Sequence, residues 1–260
     1  MSDAVFDLDA YFERVNYRGG TGAGEETLRE LHIAHTLSVP FENLDVFYGR
    51  QVLLDGASLF RKLVGERRGG YCFEMNGLFS LVLRKMGFRV RDLLARVILD
   101  DNRHTTKTHQ VILVEAGGRQ YLADVGFGND GIVAPLLLEE GTEQPQFSHA
   151  YRLTNHTPLG RLLQKKEGDR FRPLYAFTLE ECFPDDFLMA NHFTSTFPGS
   201  FFLTMRMCTR PTPDGRVTLT DDRFKVVHSG EVSERPVADA SEFSALAREH
   251  FGLDPERIRP

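Results

Sequence analysis

The chain contains no tryptophan and only three cysteines, Cys72, Cys182 and Cys208. Three widely spaced cysteines, none in a C-x-x-C pair, exclude a disulfide framework and a zinc ribbon, and no bound metal is expected. They fit a reducing, cytoplasmic compartment. No apolar run approaches the ~20 residues that a membrane-crossing helix needs. The acidic start Met1-Ser2-Asp3-Ala4-Val5-Phe6-Asp7 lacks the apolar stretch of a signal peptide. Positive charge is not in excess: 31 Lys and Arg face 37 Asp and Glu, a net charge of −6. That balance argues against nucleic-acid binding. Repeats and low-complexity tracts are absent. So are H-E-x-x-H, G-x-S-x-G, a G-x-G-x-x-G that opens a helix, and a phosphate loop ending in Gly-Lys-Ser/Thr.

What is present is ordinary globular composition, with 41% hydrophobic residues and an unusual 21 phenylalanines. A chain of 260 residues buries roughly three quarters of its unfolded surface and needs no covalent staple. The first 87 residues have helical periodicity. Asp7 to Tyr17 aligns Leu8, Tyr11, Phe12 and Val15, and Glu25 to Leu37 aligns Leu28, Leu31 and Ala34 before Pro40. Asp55 caps a short helix. After Arg67-Arg68-Gly69-Gly70, a helix begins near Tyr71-Cys72 and stops at Gly87. From Phe88 the period becomes two. Strands are expected over 90–99, 109–115, 120–125, 161–166, 171–177, 201–209, 216–220 and 223–227, with a polar loop over 100–107. Helices are expected from Pro184 to about Phe193 and from Asp239 to Gly252, the latter the last in the chain. Helices first, then strands, then a mixture indicate an α+β fold with segregated layers.

Cys72 follows a double glycine at the start of a helix, where backbone amides and the nearby Arg67 and Arg68 favour a thiolate. A lone helical cysteine is ordinarily buried filler, but glycines permit the close backbone approach that an exposed nucleophile needs. A thiolate nucleophile also needs a base and a group to orient it. The 109–115 and 120–125 strands flank Ala116-Gly117-Gly118-Arg119. An even-membered loop centred on the two glycines sets Val111 opposite Asp124 and puts His109 and Asp124 on one sheet face as a diagonal pair. A one-residue slip would separate them. The Gly-rich Val125-Gly126-Phe127-Gly128 turn that follows can bring amides against a substrate. His32 and His35 read as ordinary helix residues, Cys182 and Cys208 as core, and Lys165-Lys166 as solvated. Arg61, Lys62 and Lys165 are the basic options for phosphate contacts.

These residues resemble the arylamine N-acetyltransferase family. The resemblance is carried by Pro40-Phe41-Glu42-Asn43-Leu44, by Arg67-Arg68-Gly69-Gly70-Tyr71-Cys72-Phe73-Glu74, by Thr108-His109 and by Asp124-Val125-Gly126-Phe127-Gly128. Asn191-His192-Phe193-Thr194-Ser195-Thr196, with Pro198, Ser200 and Phe202, extends it to about residue 205; the rest matches least. Gln110 stands where the family often has Met. The resemblance implies a helical bundle (1–87) holding the nucleophile, an antiparallel β-barrel (88–183) holding His and Asp, and an interdomain helix with an α/β lid (184–260). The Cys72–His109–Asp124 triad is similar to that of papain-like cysteine enzymes. The implied activity is ping-pong transfer of acetyl from acetyl-CoA, as co-substrate, to an arylamine, arylhydrazine or hydrazide. Phe41, Val97, Phe127 and Phe202 would then line the acceptor pocket, and Thr108, Gly126 and Gly128 would lie near the acyl end of CoA. Arg68 and Glu42 would form a structural ion pair. A more open site is expected from the short C-terminal region. Three other readings stand beside this: a macrolactam-forming amide synthase of the same fold, a cysteine amidohydrolase or transglutaminase-like enzyme, and a non-catalytic binding protein. No nucleic-acid or membrane partner is expected.

Overall fold

The computed structural model describes residues 6–99 and 104–259. Helix α1 (Leu8–Val15) starts on Asp7, whose carboxylate accepts from the Asp9 amide, and ends on left-handed Asn16. Helix α2 (Glu25–Ser38) stops before Pro40. Strand β1 (Phe41–Glu42) and the turn α3 (Leu44–Phe47) follow. Helix α4 (Gly56–Phe60) is capped by Asp55, as the sequence predicts, and runs on as a π-helical turn over Arg61–Gly65. Helix α5 (Cys72–Lys85) begins on the cysteine itself. The Arg14 guanidinium gathers these pieces, donating to the carbonyls of Ser38, Leu63, Arg67 and Arg68.

An eight-stranded antiparallel sheet follows. It comprises β2 (Arg89–Ile98), β3 (His104–Ala116), β4 (Arg119–Ala123), β5 (Leu136–Leu137), β6 (Gln144–Gln146), β7 (His149–His156), β8 (Gly160–Glu167) and β9 (Arg170–Phe177). Its order is β5-β4-β3-β2-β9-β8-β7-β6. The two ends curl toward each other. Glutamine side chains close the gap: Gln144 bonds both backbone groups of Leu137, and Gln146 bonds Val133 and Ala134. The interior holds Leu93, Val111, Leu113, Leu122, Leu163 and Tyr175. Ile112 and Val114, on the other face of β3, join the helical core. Burial on both faces accounts for the continuous apolar run in β3.

The last part comprises α6 (Pro184–Thr196), a 3₁₀ turn at Phe201–Leu203, β10 (Met207–Thr212), β11 (Gly215–Thr220), β12 (Arg223–His228), β13 (Glu231–Pro236), α7 (Ala240–Phe251) and α8 (Pro255–Ile258). Its sheet has the order β1-β10-β11-β12-β13. Strand β1 thus joins the C-terminal sheet, with Phe41 opposite Thr209 and Glu42 opposite Cys208. The segment 1–87 is therefore not a purely helical unit.

Four local expectations need correction. The strand expected from Phe201 begins at Met207; the 3₁₀ turn turns the rings of Phe201 and Phe202 to the same cleft, whereas a strand would alternate them. The loop expected through Lys107 is strand from His104 onward, with 100–103 outside the described residues. Cys182 is only partly buried, its thiol against the Glu180 carbonyl, whereas Cys208 is core. Helix α7 is not the last, since α8 follows it. Among the described residues, no helix is long and apolar enough to cross a membrane.

Candidate active site

Cys72 owes its place to the loop before it. The Gly70 carbonyl accepts from the Glu42 amide of β1, so the two backbones run in contact. A Cβ on Gly69 would sit on the Pro40 carbonyl oxygen, and one on Gly70 would meet the Glu74 carboxylate at 2.7 Å. Glu74 also accepts from the Tyr71 amide, which turns the chain into α5. Below the loop, Arg68 pairs with Glu42 at 2.7 Å and Asp45 at 2.8 Å, and Lys62 pairs with Asp45 at 2.7 Å and Glu74 at 2.6 Å. The Arg68–Glu42 pair holds the loop as the resemblance implies. That arginine is therefore committed to carboxylates rather than to the Cys72 sulfur, and Arg67 is exposed. Lys62 is likewise too engaged to offer a phosphate contact.

His109 and Asp124 meet as the hairpin register predicts. Gly117 and Gly118 form the two-residue turn, both with positive φ (56° and 76°), as a tight antiparallel hairpin requires. Ala116 pairs with Arg119 and Ile112 with Ala123, which puts Asp124 just past β4 on the His109 face. His109 Nε2 lies 2.8 Å from Asp124 Oδ2, and both side chains are buried. Cys72 is near enough to His109 to strengthen the hold of its imidazole on a proton. The thiol lies 3.8 Å from the Thr108 carbonyl oxygen.

Burial by itself lowers the affinity of His109 for a proton. The charge and hydrogen bonds of Asp124 and Cys72 outweigh it and raise its pKa to about 10. Burial pushes the Asp124 carboxyl up, but His109, the Asn76 side chain and the Gly126 amide bring it below its ordinary value.

Two residues of this site escape a motif reading. Asn76 lies one helical turn after Cys72. Its Nδ2 donates to Asp124 Oδ1 and to the Gln110 carbonyl, and its Oδ1 accepts from the Val125 amide. The i, i+4 spacing from Cys72 is the signal that could have found it. His32 is fully buried on α2 and accepts from the Asp124 amide; nothing in the sequence pairs it with Asp124.

Cys72 and His109 open into a cleft of about 630 Å³. Phe41, Val97, Thr108, Gly126, Phe127 and Phe202 line it. Gly128 does not. Its carbonyl accepts from Arg216 and a Cβ there would touch the Phe41 ring at 3.4 Å, so it backs the cleft wall. The outer half is lined by Phe193, Phe197 and Phe201, none of which the sequence reading placed in the cleft. They are 41–50% exposed, and their signal is the density of Phe after Asn191. Lys165 is not solvated: it bonds Asp130 at 2.6 Å, and Arg172 shares that carboxylate. Among the described residues, no His/Cys/Asp/Glu group is arranged to hold a metal ion.

A family model described as N-acetyltransferase matches residues 26–258, so the C-terminal region lies within the match. The chain is 39% identical to an arylamine N-acetyltransferase of Escherichia coli K12, over 95% of this chain and 88% of that protein. The arylamine N-acetyltransferase structure from Mycobacterium tuberculosis superposes with a TM-score of 0.93 at 38% identity, covering 98% of this chain and 96% of that one. A Mycobacterium marinum arylamine N-acetyltransferase solved in complex with CoA superposes with a TM-score of 0.92 at 36% identity, covering 97% and 94%.

Proposed function

Because the chain belongs to the arylamine N-acetyltransferase family, we propose that Cys72, His109 and Asp124 are its catalytic triad and that acetyl-CoA is its donor. The observation that carries this is the buried His109–Asp124 pair beside a cysteine that lines an apolar cleft. In the first half-reaction the Cys72 thiolate attacks the thioester carbonyl. The CoA thiolate leaves and takes the proton of the His109 imidazolium, giving acetyl-Cys72 and neutral His109. In the second, an arylamine, arylhydrazine or hydrazide attacks acetyl-Cys72 while His109 takes its proton. The Cys72 thiolate is expelled and the ion pair is restored. Asp124 holds the imidazole orientation and stabilises the imidazolium. The positive end of the α5 dipole lies at the reacting sulfur and favours negative charge there.

Acetylation removes the Cys72 charge, one of the causes that raise the His109 pKa. The imidazole of acetyl-Cys72 enzyme is thus a weaker base than that of the free enzyme and is more readily neutral when the amine arrives. The faces of Phe41, Val97, Phe127 and Phe202 suit a flat aryl acceptor, and Thr108 and Gly126 lie at the acyl end.

Intact-mass analysis after mixing with acetyl-CoA and no acceptor tests this reading. One acetyl adduct mapping to Cys72, released on adding an arylamine, is expected; C72A stays unmodified and inactive. No adduct, or one on Cys182 or Cys208, overturns it.

A further inference from the structure

The geometry points to His32 as a positioning residue for the acetyl transfer, acting through the Asp124 backbone. The inference rests on the triad reading above. Strand β4 ends at Ala123, so the hairpin ladder stops one residue short of the triad aspartate. The backbone there is held by a side chain from another element. The Asp124 amide donates to His32 Nε2 at 3.1 Å, and His32 Nδ1 lies 2.9 Å from the Val133 carbonyl oxygen. An amide donor needs a lone pair on Nε2, and a carbonyl acceptor needs a proton on Nδ1. Only the neutral Nδ1–H tautomer satisfies both. Burial depresses the pKa of this ring to about 4 despite the Val133 carbonyl and Asp124 charge, so the tautomer persists at neutral pH. The ring cannot pivot freely: it is fully buried, with the Phe79 ring edge-on at 5.6 Å and the Thr36 hydroxyl 3.3 Å from Nδ1. One imidazole thus ties α2 to both ends of the loop that carries Asp124, Gly126 and Phe127. The Asp124 carboxylate is set by His109, Asn76 and Gly126; its main chain is set by His32.

The two bonds are separable by substitution. Glutamine places an acceptor near the Nε2 position and can keep the Asp124 amide. Asparagine places a donor near the Nδ1 position and can keep only the Val133 carbonyl. Each variant leaves one buried backbone group unpaired, so a purely structural role lowers Tm and activity alike in both. The positioning role splits them. H32Q is expected to acetylate Cys72 within about threefold of the unmodified chain, and H32N to slow by about tenfold or more, the scale of a small misplacement of a reacting group. The readout is the single-turnover rate of Cys72 acetylation by acetyl-CoA, followed by intact mass beside the Tm of each variant. Equal loss in both variants, or a slower H32Q, overturns the inference. Should H32N not fold, H32Q decides: activity kept at a lowered Tm supports the role, and activity lost in a folded protein overturns it. An unmodified chain that fails to acetylate at Cys72 sinks the triad reading instead.

Discussion

At the scale of single residues, the site depends on buried polar groups whose partners are fully specified. Asn76 makes three such bonds, to Asp124, Gln110 and Val125. N76A leaves a backbone carbonyl and an amide orphaned in the interior, each costing about 1–3 kcal/mol. Its Tm falls and its acetylation rate drops, both measurable on one preparation. The His109–Asp124 pair has a pH signature. Its pKa raised to about 10 means that His109 contributes stability fully below the ordinary histidine value, about 6.5, and loses it as pH rises through about 10. The lowered Asp124 pKa contributes above the ordinary carboxylate value and is lost in acid. The Tm advantage of the unmodified chain over D124N is therefore widest near pH 5–6 and shrinks toward pH 10. A constant advantage across that range would mean that the pair is not charged.

At the scale of elements, the exit of the hairpin and helix α5 meet at Gly126. A Cβ there would lie 2.9 Å from the Cys72 Cα, closer than side-chain carbons come to backbone. G126A forces β4's exit loop away from α5 and with it Asp124 from His109. Acetylation slows by about tenfold or more, with the helices still folded by circular dichroism. The hairpin was legible in advance because two glycines dictate its turn and the turn dictates the register. The short strands β5 and β6 were not. Each is two or three residues long and pairs with one strand only, and the gap between them is bridged by the Gln144 and Gln146 side chains, which no periodicity encodes. The fully exposed β13 lacks the apolar alternation that marks a half-buried strand.

At the scale of the whole molecule, the parts are sewn together beneath the cysteine loop. Strand β1 is an edge of the C-terminal sheet, and the Asn43 side chain bonds Phe202, Met205 and Met207 main-chain groups. The Arg68, Lys62, Glu42, Asp45 and Glu74 network sits where these layers join. R68A strands the buried Glu42 without its guanidinium and leaves Asp45 to Lys62 and Arg50. Breaking one side of a buried pair costs about 3–5 kcal/mol, so a large fall in Tm is expected, nearly independent of salt because the network is shielded. A fall erased by high salt would place these charges in solvent.

Local chemistry alone determined the helix caps at Asp7, Asp55 and Asp239, the Gly117-Gly118 turn, the His109–Asp124 pairing and the start of a helix at Cys72 after two glycines. Each follows from a few neighbouring residues and fixed backbone geometry. Tertiary structure decided what depends on contacts between distant segments: His32 on Asp124, the Arg68 guanidinium on carboxylates, Gly128 behind Phe41 rather than in the cleft, and the phenyl rings of 193, 197 and 201 along its outer half. Spacing along a chain carries the period of a helix or a strand. It does not carry the direction in which two packed elements bring their side chains together.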